Sequence, residues 1–261
     1  FDAGLVVNIA VQLEGAGEGK TILQSQAMES PVLTFGPGSK GATVTGLLFR
    51  PEGFDASENR FPAVQVRGGE VSFTDCVFKD GSGHGLEVIE GGLAEAFRCV
   101  FEENGWDGMA ARGAGSRMVA RESRAVGNFA HGFEVWDEAV ALIHGCTAKS
   151  NCRNGILIDS AADGLSVEGN EIMGNREYGI LLAAGASGKV IKNSSYANML
   201  AGMLVRFASI SVEVKENRLE QNSGPGLILE QGLRQEIYAG NITRKNRGAG
   251  IVAQARFTKA D

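Results

Sequence analysis

The chain repeats itself, and the period constrains everything else. Gly85, Gly108, Gly132, Gly155, Gly179, Gly202, Gly226 and Gly250 each open a run of alternating apolar residues, at intervals of 23 or 24. A second column keeps the same step: Cys76, Cys99, Ser123, Cys146, Asn170, Asn193, Asn217 and Asn241. A third reads Asp80, Asn104, Asn128, Asn151, Asn175, Asn198, Asn222 and Asn246. Such a unit is too short for a pair of helices, and segments such as Leu165-Ser-Val167 and Val212-Glu-Val214 alternate with period two. The fixed leucine pattern and helical half of a leucine-rich repeat are missing. What remains is a coil of about three short strands per turn, stacked on its neighbours as a parallel β-solenoid with equivalent residues ~4.8 Å apart.

Stacking explains the polar columns. A buried Asn at a corner accepts from one neighbouring coil and donates to the other, so each rung satisfies the next. Small Cys and Ser residues fill the same space in the earlier coils. Cys76, Cys99 and Cys146 therefore read as ladder residues rather than halves of disulfides, and Cys152 alone stands outside the column. Unpaired thiols of this kind point towards a reducing, cytoplasmic setting. The sequons at Asn193 and Asn241 use ladder residues aimed inward, which argues against glycosylation. The 37 glycines fit a chain that turns this often.

The Gly-led strand, the asparagine ladder and the 23–24-residue coil resemble the right-handed parallel β-helix superfamily that includes pectate lyases, and most of all its generic β-helix-region repeats. The resemblance covers residues 63–261, and Val7–Leu23 and Thr43–Phe49 look like earlier coils of the same kind. It implies an all-β, single-stranded right-handed parallel β-helix over 1–261, with about eleven coils of 23–24 residues. The capping segment usual before the first coils is missing, so the chain reads as part of a longer protein. The superfamily hosts lyases, hydrolases, epimerases, adhesins and passive scaffolds, so fold alone leaves activity open.

The net charge of −6 and the lack of a basic stripe exclude a nucleic-acid groove. No apolar run is long enough to span a membrane as a helix. Gly15–Thr21 ends in Gly-Lys-Thr but has Glu14 where a phosphate loop needs its first glycine, so nucleotide binding is set aside.

Chemistry is then sought beside the repeat glycines. The residue preceding each one reads His84, Asp107, His131, Asn154, Tyr178 over consecutive coils. His84, Asp107 and His131 could act as an acid–base set, or hold a divalent metal through two imidazoles and a carboxylate. The competing explanation is turn chemistry, because His, Asp and Asn tolerate a left-handed backbone. The outward positions of the Gly-led strands add Gln65, Arg67, Glu87, Arg112, Glu134, Trp136 and Asp159. By resemblance to the superfamily's saccharide groove, Glu87 and Glu134 are further catalytic candidates, while Arg67, Arg112, Trp136 and Asp159 would contact substrate. The competing reading is a solvated salt-bridge ladder with Arg112 between the two glutamates. Residues 50–60 add about six residues to one coil and could wall the groove.

In the later coils the outward position turns apolar: Leu157, Leu181, Leu204, Ile228 and Val252. A contiguous stripe of this kind marks a contact surface if water would otherwise face it. The first functional expectation is therefore a non-catalytic recognition or assembly module. It would bind a protein partner, a neighbouring domain or a second copy through the stripe, and a saccharide over the polar coils. The alternative is a polysaccharide lyase or glycoside hydrolase acting on an acidic glycan.

Overall fold

The computed structural model describes residues 4–17, 19–26, 29–52, 60–206, 212–230 and 238–254. The coil predicted from the period is there. One turn runs Leu86–Ile89, Leu93–Phe97, Val100–Glu102, and each of these strands pairs in parallel with the same strand of the turns below and above. Three parallel sheets result, with eleven, nine and ten strands. Nine turns place a strand in every sheet among the described residues, and Ile251–Gln254 opens the eleventh strand of the first sheet. Among the described residues the only helical element is the short 3₁₀ turn Pro37–Ser39, and no helix is long and apolar enough to cross a membrane.

The core follows from the period of two. In the first sheet, Leu86 and Val88, Met109 and Ala111, Phe133 and Val135, and Ile156 and Ile158 all face inward and are buried. From the third sheet Phe49, Phe78 and Phe101 stack with centroids 5.3 and 4.9 Å apart, and Phe73 meets Phe78 edge-on. Burying side chains of this size contributes roughly 1.5–3 kcal/mol each, and the stack repeats that gain from coil to coil.

Two asparagine ladders hold the corners. Asn170 donates its backbone N–H and its side-chain amide to Oδ1 of Asn193, at 3.0 and 2.9 Å, and reaches back to the carbonyl of Ile143 at 2.8 Å. Upstream the same rung is kept by Cys99 N–H donating to Ser123 Oγ and Cys146 N–H to Asn170 Oδ1. All four cysteines are free, and the three ladder cysteines are buried. The second ladder runs from Asn104 to Asn246, but its first rung is Gly81 rather than Asp80: the Gly81 N–H is the group that donates to Asn104 Oδ1. Asp80 instead takes the left-handed position before the rung (φ 57°), as Glu103, Ser150, Ala197, Gln221 and Lys245 do in other coils. The repeat glycines answer a different need, close approach. A Cβ on Gly85 would stand 2.6 Å from the carbonyl oxygen of Gly108 and 2.7 Å from the ladder amide of Asn104.

The outward stripe is one continuous column, Glu134, Leu157, Leu181, Leu204, Ile228, Val252, in register across the first sheet. It is less open than expected. Leu204 is only 1% exposed and the other four apolar residues are half-buried. The added residues fall between Leu47–Pro51 and Val64–Arg67, since Leu48 pairs with Val77. Of the predicted loop, residues 53–59 lie outside the described residues, and Arg60 is its last member.

Candidate active site

The corner between the third and first sheets carries the residues that precede the repeat glycines. Its register comes from the backbone: Gly85 N–H donates to the Asp107 carbonyl, Gly108 N–H to that of His131 and Gly132 N–H to that of Asn154. His84, Asp107, His131 and Asn154 are thus stacked on consecutive coils and all are buried. None has a left-handed backbone; most of those conformations precede the ladder residues, and Glu90, Asp137 and Glu138 follow first-sheet strands. Turn chemistry therefore does not explain this column.

The side chains form a rising chain of contacts. Asp107 Oδ1 accepts the backbone N–H of His131 at 2.7 Å, and its Oδ2 lies 2.9 Å from His84 Nδ1. That contact is within hydrogen-bond reach but imperfectly aligned, leaving His84 Nδ1 without another partner. His131 Nδ1 accepts the backbone N–H of Asn154 at 3.1 Å, and Asn154 Oδ1 accepts that of Tyr178 at 3.0 Å. A backbone N–H cannot reverse its polarity, so the proton of neutral His131 sits on Nε2. That nitrogen is 4.0 Å from Glu134 Oε1.

Burial and proximity split the two carboxyls. For Asp107 burial alone would favour protonation, but the His84 contact and the neighbouring charges overturn it and hold the group down, at about 2. For Glu134 burial and the adjacent Asp107 act together and push it up to about 10. One proton is thus held between two carboxyls and resides on Glu134. Burial pushes His131 down to about 4 against the pull of Asp107, with Arg153 and His84 adding to the fall.

These groups line a cavity of about 740 Å³. Its walls include Trp136 and Asp159, together with Arg60, Trp106, Phe129 and Arg153. The His84 ring sits 5.0 Å from Trp106 and 5.9 Å from Trp136, centroid to centroid. Arg60 lies over Trp106 at 5.8 Å and donates to the carbonyl of Gly105 at 3.0 Å. Among the described residues Arg153 has no ion pair.

Six candidates read from the sequence therefore meet at this cavity: His84, Asp107, His131, Glu134, Trp136 and Asp159. Three do not. Glu87 is 5% exposed and is held by Gln65 at 2.7 Å and Arg112 at 2.9 Å. Arg67 is paired with Glu90 at 2.6 Å. The residue between Glu87 and Glu134 in the sheet is Ala110, while Arg112 pairs in register with Trp136. Arg112 therefore closes off Glu87 rather than bridging two glutamates. The missed residues had a faint signal: Trp106 and Arg153 belong to the column two before the repeat glycines, one position from the column singled out.

The expected metal set also changes. Donor atoms of Asp107, His131 and Glu134, not His84, fall within 4.8 Å of one another. A divalent ion there would have to displace the proton on Glu134 and take His131 through Nε2, the nitrogen that Asn154 leaves protonated.

The right handed beta helix region family matches residues 52–194 and 127–260 in sequence. The chain belongs to that family. No curated protein matches it in sequence. Among solved structures, it resembles the Azotobacter vinelandii mannuronan C-5 epimerase AlgE4 A-module, with a TM-score of 0.62 and 16% identity over 97% of this chain and 83% of the other. Pectate lyase Pel9A gives a TM-score of 0.57 and 15% identity, covering 98% of this chain and 69% of that one. The catalytic domain of a GH87 alpha-1,3-glucanase in complex with nigerose gives 0.60 and 12%, covering 97% and 59%. At such identities the likeness establishes the fold.

Proposed function

We propose that the chain is a polysaccharide-modifying enzyme that removes the proton beside a uronate carboxylate, the step shared by lyases and C-5 epimerases. The observation that carries this reading is the gathering of one ionised carboxylate, one protonated carboxyl, an imidazole whose tautomer a backbone N–H fixes, a second imidazole 2.9 Å from the ionised carboxylate and two arginines around one cavity. Structural neighbours that act on mannuronan and pectate, on the same fold, are consistent with it.

Asp107 holds the Nδ1–H of His84, which leaves the Nε2 lone pair of His84 as the base. Arg60 and Arg153 neutralise the substrate carboxylate and so acidify the adjacent carbon–hydrogen bond. The proton passes to His84 Nε2, and the bonding pair delocalises into the carboxylate. The Nε2–H of His131 stabilises the charge that develops there. Glu134, kept protonated, then supplies a proton. Delivered to the glycosidic oxygen, it accompanies carbon–oxygen cleavage and completes an elimination; delivered to carbon from the opposite face, it completes an epimerisation. Trp106 and Trp136 pack against the sugar.

Hydrolysis suits the site less well. Hydrolase carboxyls flank the scissile bond at roughly 5–9.5 Å, whereas Asp107 and Glu134 share a proton. The recognition-module reading comes second to it: the apolar column that suggested it is half-buried, with Leu204 closed off.

The test is incubation with polymannuronate, polygalacturonate and hyaluronan in D₂O, followed by NMR for unsaturated ends, inverted C5 centres and deuterium uptake. Wild type should show one of these and His84→Ala none. Absence of all three with every uronate polymer would reject the reading.

A further inference from the structure

The cavity meets different surfaces along the two directions of the solenoid axis. Towards the first coils, Glu87 is held between Gln65 and Arg112, and Arg67 beyond it is engaged by Glu90 beside a separate cavity of about 580 Å³. Towards the later coils, the outward column of that sheet is apolar and half-buried. The corner itself continues. One line of backbone hydrogen bonds joins Trp106, Ala130, Arg153, Glu177 and Leu200 on successive coils. Beside it, Phe129, Cys152, Arg176 and Met199 donate in turn to the carbonyls of Asn104, Asn128, Asn151 and Asn175, which places them in a second line.

The side chains on these lines change character in order. Trp106 and Phe129, 38% and 58% exposed, stand at the cavity mouth. Arg153 and Arg176 follow, both exposed, on consecutive coils, with Arg176 in the second line beside the half-buried Glu177 that stacks on Arg153. Met199 and Leu200 come next, at 59% and 42% exposure. Among the described residues Arg176 has no ion pair, although Glu177 is its chain neighbour and the chain as a whole carries a net charge of −6. An acidic protein has thus left two guanidiniums unpaired on one edge, next to exposed apolar surface, in continuity with its cavity.

We infer that this corner is the track of the substrate chain: an acidic glycan leaves the cavity parallel to the solenoid axis, towards the later coils, with Arg176 binding the carboxylate of a sugar beyond the reacting one and Met199 and Leu200 lying under the sugar after it. The inference rests on the proposed activity for the nature of the glycan and goes beyond it in direction, length and residues. Guanidinium recognises carboxylate by paired donors, and apolar side chains cover the C–H face of a sugar ring.

The experiment uses the catalytically silenced His84→Ala protein, alone and combined with Arg176→Ala or Met199→Ala. Affinity electrophoresis and calorimetry would measure binding to short and long oligomers of mannuronate and galacturonate, and to a neutral β-glucan. Longer acidic oligomers should bind the parent more tightly than short ones. Arg176→Ala should weaken the long oligomers about tenfold and flatten the dependence on length, and Arg176→Lys should restore part of it. Equal weakening at every length, no weakening, or equal binding of the neutral glucan would overturn the track while leaving the cavity's chemistry standing. Failure to bind any acidic oligomer would overturn both.

Discussion

Replacing Glu134 by Gln should stabilise the protein and silence it. Glu134 side chain is about 20% exposed, and burial with Asp107 alongside keeps it protonated far above its ordinary value of 4.5. The unfolded chain releases that proton near 4.5, so above this pH the native state binds one more proton than the unfolded state. Stability must then fall as pH rises, by about 1.4 kcal/mol per unit, until native Glu134 itself ionises near 10. At pH 7 the accumulated cost is about 3 kcal/mol. Glutamine keeps a donor towards Asp107 and has no proton to lose, so Glu134→Gln should gain roughly 1–3 kcal/mol at pH 7. The lower end allows for imperfect replacement of the carboxyl. The gap should widen by about 1.4 kcal/mol per unit between pH 7 and 9. This window is clean because His131, held at about 4, disturbs the balance only below its unfolded value of 6.5. Urea unfolding followed by circular dichroism at several pH values measures both variants. A gap that does not change with pH, or a variant less stable by more than about 1 kcal/mol, would mean that native Glu134 is ionised and that the proton-sharing argument is wrong.

Other perturbations separate the architecture from the chemistry. His131 should show the Nε2–H tautomer by ¹⁵N NMR and remain neutral down to about pH 5, given its low value of about 4; a midpoint near 6.5 would contradict the Asn154 contact. Its sign is opposite to that of Glu134: the unfolded chain takes up a proton first as pH falls below 6.5, so stability drops on acidification. Asn175→Ala removes the side-chain bonds to Asn151, Ala148 and Asn198 in a fully buried rung, keeping only the backbone N–H bond to Asn198. It should cost about 3–5 kcal/mol in urea unfolding, more than most single substitutions. Gly108→Ala would bring a methyl within 2.7 Å of the Gly132 carbonyl and 2.9 Å of Phe101 Cβ. A loss of about 1–3 kcal/mol is expected from that overpacking, and an unchanged unfolding midpoint would show that the coils can part locally at little cost.

The corner residues show where reading the sequence succeeds and where it stops. His84, Asp107 and His131 were visible because they occupy a column that recurs with the coil, and stacking makes such columns neighbours in space. Glu134, Trp136 and Asp159 followed from the period of two along a strand, which decides which side chains point outward. Trp106, Phe129 and Arg153 were not visible, because corner residues obey no alternation and the direction of each depends on the turn it sits in; Arg60 was legible only as the last residue of the inserted segment 50–60 that could wall the groove. That insertion breaks the register. Arg112 was misplaced for a related reason: its rung is shared with Trp136, and only the length and direction of its side chain carry it diagonally to Glu87.

By itself the sequence determined the solenoid, its ladders and its core. A parallel coil pairs each residue with one a fixed number of positions away, so a one-dimensional period is already a statement about contacts. Only the tertiary structure decided which of the stacked polar residues share a proton, which nitrogen of His131 carries one, and which charges are left unpaired. Those depend on ångström differences in burial and on backbone N–H groups from the next coil, neither of which leaves a trace in the period.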